Sequence, residues 1–125
     1  MATDLEVRRL VSFETAIDGT TVRWIAEDLA GRSVGIVLTT EALTSLLMTL
    51  PTMVSNAVKR AHNDPATRVT YPLADFRIEL SPGNLRILTV STSNGFSVSF
   101  SLTEDLSEEL GRAHLMGKCR RVKTH

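Results

Sequence analysis

The sequence predicts an α+β fold: a duplicated β-β-β-α unit, with about six antiparallel strands covered by two principal helices. Three observations carry this expectation. Short stretches alternate between apolar and polar residues, as one-side-buried strands do. Turn signals such as Asp18-Gly19, Ser81-Pro82-Gly83 and Ser93-Asn94-Gly95 separate them. Two longer segments, each opened by threonine, place apolar residues three and four positions apart, the spacing of an amphipathic helix.

The first strand lies within residues 5–17, where Leu5, Val7, Leu10, Val11 and Phe13 are interrupted by Arg8-Arg9. Asp18-Gly19 ends it, since both residues tolerate the positive φ of a tight hairpin turn. In the second strand, residues 20–29, Val22, Trp24 and Ala26 share one parity and Arg23, Ile25 and Glu27 the other. After a turn at residues 28–31, Val34, Ile36 and Leu38 share a face of the third strand. A helix should start at Thr39 or Thr40, whose hydroxyl can accept from an otherwise unpaired backbone N–H, with Glu41 near the positive end of the dipole. Its stripe runs through Leu43, Leu47, Leu50, Val54, Ala57 or Val58, and Ala61. Pro51 interrupts that stripe, so the helix is expected to be kinked or broken nearby.

Asn63-Asp64-Pro65 closes the first half. The second starts from residues 68–71 and 73–80, where Phe76, Ile78 and Leu80 alternate with Asp75, Arg77 and Glu79; residues 85–92 return, and Phe96, Val98, Phe100 and Leu102 share one side of the last strand. Thr103 then caps a helix with Glu104, Asp105, Glu108 and Glu109 at its start and Arg112, His114 and Lys118 toward its end.

The two halves echo each other at an offset of 63 or 64 residues. Phe13 matches Phe76, Arg23 matches Arg86, Gly31 matches Gly95, Ser33 matches Ser97, Leu38 matches Leu102 and Thr39 matches Thr103. We therefore expect one domain over residues 1–125, with pseudo-repeats at 5–63 and 68–118 and a basic tail at 118–125. The sheets would join, face each other, or close into a partial barrel with both helices on one side. Separate halves of about 60 residues would each be marginal alone.

Composition narrows the function by exclusion. Fourteen basic residues balance fourteen acidic ones, so no single-sign field steers the chain toward nucleic acid or an anionic membrane. The tail KCRRVK, residues 118–123, is the one biased segment and the one route to nucleic acid. Cys119 is the sole cysteine, which excludes an internal disulfide and multi-cysteine zinc sites. Flanked by Lys118 and Arg120-Arg121, it would have a lowered thiol pKa if exposed. The opening MATDLEVRRL has acids where a signal peptide has bases, and no run of about 20 apolar residues exists to span a bilayer. The expected location is cytoplasmic, with no membrane partner.

No phosphate loop, HExxH, CxxC or G-x-S-x-G motif is present, and His62, His114 and His125 lack ligand-spaced companions. The carboxylate pairs Glu27-Asp28, Glu104-Asp105 and Glu108-Glu109 fall on turns or helix surfaces. No cofactor, metal or catalytic residue is expected. Two candidate sites remain. Arg23 and Arg86, matched by the echo, could grip an anion in a groove between the repeats. Ser33, Gly35, Val37, Ser97, Ser99 and Ser101 form uncharged strand faces, where solvent-facing strands usually carry charge. The first points to a small anionic-ligand domain or minor enzyme. The second, favoured here, points to a non-catalytic interaction or scaffold module acting as a homo-oligomer or docking a protein partner.

Overall fold

The structure, a computed structural model, describes residues 2–117. Its elements run β1 (Val7–Thr15), β2 (Thr21–Asp28), β3 (Ser33–Thr39), α1 (Thr40–Ala61), β4 (Asp75–Leu80), β5 (Arg86–Ser91), β6 (Ser97–Leu102) and α2 (Glu104–Leu115). The fold is α+β, with the β-β-β-α order occurring twice. The strands form two separate antiparallel sheets, ordered β1-β2-β3 and β4-β5-β6. The chain divides into two compact units, one ending at Ala57 and the other beginning at Val58, so the division falls within α1.

Turn chemistry sets the first sheet. Asp18 Oδ1 accepts from the Thr20 N–H at 3.1 Å and from the Thr20 hydroxyl at 2.8 Å, while Gly19 takes a φ of 73°. At the second turn Asp28 Oδ1 accepts from the N–H groups of Ala30 and Arg32, at 3.0 and 2.8 Å, and Gly31 takes a φ of 81°. Strand β2 pairs Val22 with Leu38, Trp24 with Ile36 and Ala26 with Val34 on one side, and Arg23 with Val37, Ile25 with Gly35 and Glu27 with Ser33 on the other. Strand β1 joins with register shifts at Val7/Arg9 and Leu10/Ser12. Ala26, in the central strand, is fully buried, and Asp28 nearly so.

The second sheet repeats the plan. Its register places Phe76, Ile78, Leu80, Leu88, Val90, Val98, Phe100 and Leu102 on one side. Both central strands are better covered than the outer ones, having a neighbour on each edge. The second helix starts as expected: the Thr103 hydroxyl accepts from the Leu106 N–H at 3.2 Å, and Glu104 and Asp105 occupy its first turn.

Two expectations need correction. The first helix is not broken: α1 runs on through Pro51. The missing N–H removes one hydrogen bond, and the turns on both sides retain theirs. Nor does either helix cover its sheet closely. Extensive contact is confined to neighbouring strands, and neither helix buries a residue. Strand β3 passes directly into α1, and Thr103 alone separates β6 from α2. No loop is available to double either helix back over the strand that precedes it.

Candidate functional site

The uncharged residues of β3 share their side of the first sheet with charged neighbours. Ser33, Gly35 and Val37 pair with Glu27, Ile25 and Arg23, and beyond these lie Arg9 and Glu14 of β1. Glu27 is held by Arg9, with Nη2 to Oε2 at 2.7 Å and Nε to Oε2 at 2.9 Å, and it lies 3.8 Å from Arg8 Nη1. The charge absent from β3 is thus supplied by β1 and β2.

In the second sheet, Ser97, Ser99 and Ser101 line β6 opposite Ser91, Thr89 and Ile87. The Ser99 and Thr89 hydroxyls are 2.8 Å apart, and those of Ser97 and Ser91 3.1 Å apart. These cross-strand pairs satisfy polar groups within the sheet. Neither serine is bonded to a base that could activate it for nucleophilic attack. Arg77 and Glu79 of β4, joined at 3.2 Å, share the same side.

The register revises the internal echo. Leu38 and Leu102 occupy matching positions at the ends of β3 and β6, and they pair with Val22 and Arg86 respectively. Arg86 therefore corresponds to Val22, and Arg23 to Ile87. Likewise Phe13, opposite Trp24, corresponds to Ile78, opposite Leu88, and not to Phe76. Arg23 lies on the mixed side of its sheet. Arg86 lies on the apolar side of the other, flanked in register by Leu80 and Leu102.

Two polar atoms escaped the sequence reading. Arg86 Nη1 and Thr67 Oγ1 are shielded from solvent and have no hydrogen-bond partner among the described residues. The parity of Arg86 with Leu88 and Val90 was the available signal for the first. Thr67 lies in the irregular segment before β4, where no periodicity marks burial.

The carboxylates that depart from ordinary behaviour stabilise turns. The Arg32 backbone N–H, aided by its guanidinium at 3.0 Å and by the Ala30 N–H, holds Asp28 below the usual carboxylate range, with burial opposing. The Thr20 N–H and then its hydroxyl do the same for Asp18. Among the described residues no three His, Cys, Asp or Glu side chains group as metal ligands. Among the described residues no helix is long and apolar enough to cross a membrane. Cys119, His125 and the basic tail lie outside the described residues.

No protein-family model, curated protein or solved structure matches the chain. The functional reading therefore rests on its own surfaces. Chief among these is the apolar side of the second sheet, where Phe76 is 62 %, Ile78 54 % and Phe100 52 % exposed.

Proposed function

We propose that the protein is a non-catalytic interaction or scaffold module that acts as a homo-oligomer. The observation carrying this reading is the exposure of large apolar side chains on regularly patterned elements. Phe76, Ile78, Leu80 and Phe100 stand on one side of a single sheet, and Leu106 and Leu110 lie along α2. Scattered exposed leucines are ordinary, whereas a contiguous apolar sheet side calls for another layer against it. A second copy brings such a layer with matched patterning. Sedimentation velocity from about 1 to 100 μM tests the reading: a concentration-dependent dimer or higher species is expected, and a clean monomer throughout would overturn it.

A second reading, a small anionic-ligand domain, is favoured by one observation: the unpartnered, shielded Nη1 of Arg86. A guanidinium in such surroundings gains from a charged acceptor. Thermal-shift titration with inorganic phosphate should then raise Tm in the wild type and leave Arg86→Ala unmoved. An equal response of the two proteins would remove this reading.

A further inference from the structure

Each sheet has one guarded edge and one open edge. Outer strand β1 carries Arg8, Arg9 and Glu14 and two register shifts, and outer strand β4 carries Asp75, Arg77 and Glu79. Charges and irregularities of this kind prevent an edge from pairing with another chain. Strands β3 (SVGIVLT) and β6 (SVSFSL) carry no charge and no proline, and each forms the other outer edge of its sheet.

The direction of the backbone groups on β3 follows from its ladder. The Asp28 N–H donates to the Arg32 carbonyl at 2.9 Å, and the Thr40 N–H donates to the Thr20 carbonyl at 3.1 Å. Both pairs belong to the register that joins Ala26 to Val34 and Trp24 to Ile36. In an antiparallel ladder, hydrogen-bonded and non-bonded pairs alternate. Val34, Ile36 and Leu38 thus spend their N–H and C=O groups on β2. Ser33, Gly35 and Val37 direct theirs away from the sheet, as does the Thr39 N–H, while the Thr39 carbonyl opens the hydrogen bonding of α1.

We infer that β3 pairs antiparallel with β3 of a second copy, about a two-fold axis at Ile36. The inference rests on the homo-oligomeric reading and adds a seam along the first sheet, separate from the apolar side of the second. The strand is self-complementary in that register. Ser33 meets Thr39 and Gly35 meets Val37, so the outward groups of Gly35 and Val37 face each other and the Thr39 N–H faces the Ser33 C=O. On the apolar side Val34 meets Leu38 and Ile36 meets its own copy, so Val34, Ile36 and Leu38 extend one apolar surface across the axis. The strand itself carries no charge, and the like charges nearest the seam are the two Arg23 guanidiniums, each lying over its own Gly35. Strand β6, with Ser97, Ser99 and Ser101 outward, is the rival edge, and crosslinking at Ile36 decides between the two. Two isologous strands of this length join two three-stranded sheets into one of six and leave β1 at both ends, where its charges guard the assembly.

Site-directed crosslinking of the full chain in a Cys119→Ser background tests the register. Residues facing each other in a non-hydrogen-bonded antiparallel pair have Cα atoms about 4.5 Å apart, within disulfide range. Ile36→Cys should form a disulfide-linked dimer on mild oxidation. Val34→Cys alone and Leu38→Cys alone should not, since each faces the other in the second copy, and a mixture of the two should crosslink. The uncrosslinked variant Val37→Lys changes a side chain that is 65 % exposed. It should weaken the dimer at least about tenfold in sedimentation while leaving the circular dichroism spectrum unchanged. A dimer that resists Val37→Lys, or that crosslinks equally at Val34 and Ile36, would overturn the β3 seam and leave homo-oligomerisation standing with another interface. A wild-type monomer would remove both.

Discussion

The guanidinium of Arg23 lies over Gly35, the residue diagonal to it on the neighbouring strand. A Cβ built on Gly35 would fall 2.8 Å from Arg23 Nη2, 2.9 Å from Nε and 3.2 Å from Cζ. Glycine is thus favoured there by the arginine above it and not by backbone conformation, since its φ is not positive. The obstructing atoms end a flexible side chain, so Gly35→Ala should lower stability by less than about 1 kcal/mol. In an Arg23→Ala background the same change should stabilise by about 0.4–1 kcal/mol, through reduced unfolded-state entropy. A denaturant double-mutant cycle measures the change of sign.

Asp28 should set part of the acid limb of stability. Its pKa is lowered in the folded state by the Arg32 N–H first, so its contribution is present above the unfolded value of about 3.9 and is lost as pH falls through the lower folded value. Asp28→Asn should lower Tm at pH 7 by more than at an acid pH below the folded-state value, as followed by Trp24 fluorescence. Equal Tm differences at both pH values would show that the carboxylate charge is not what holds the turn.

Thr103 caps α2 through its hydroxyl. Thr103→Ala should cost about 1 kcal/mol, while Thr103→Ser should recover most of it. Thermal unfolding followed by circular dichroism distinguishes the two.

Gly95 closes the β5–β6 hairpin with a φ of 93°, and nothing lies within 4 Å of a Cβ added there. The cost of Gly95→Ala is therefore one of backbone conformation alone, about 1–2 kcal/mol. Equilibrium urea unfolding should show a lower midpoint with an unchanged slope.

If a second copy completes the apolar layer, folding and association are linked and Tm must rise with protein concentration. Scans at about 2 and 200 μM should differ by several degrees. Superimposable scans would mean that association contributes nothing to stability.

The local grammar of the chain is legible in its sequence. Alternation marks β2, β3, β4 and β6, Asp18-Gly19 and Asn94-Gly95 mark hairpin turns, and the hydroxyls of Thr39 and Thr103 each accept from a helical N–H three residues on. The paired arginines show where that grammar stops. Read along the chain, Arg23 and Arg86 fall one step from true equivalence. In a strand one step exchanges the two sides, so Arg86 takes the place of Val22 among apolar neighbours. At Pro51 the single missing hydrogen bond does not end α1, which excludes the break among the two expected outcomes.

The sequence by itself determined the elements, their order and their ends, because propensity, capping and turn chemistry act over a few neighbouring residues. Only the tertiary structure decided which strands are outer, which side of its sheet Arg86 takes, and which backbone groups of β3 point outward. Those properties depend on the register between segments distant in the chain. A one-residue shift in that register, as at the irregularities of β1, leaves the local pattern intact and moves side chains to the other face.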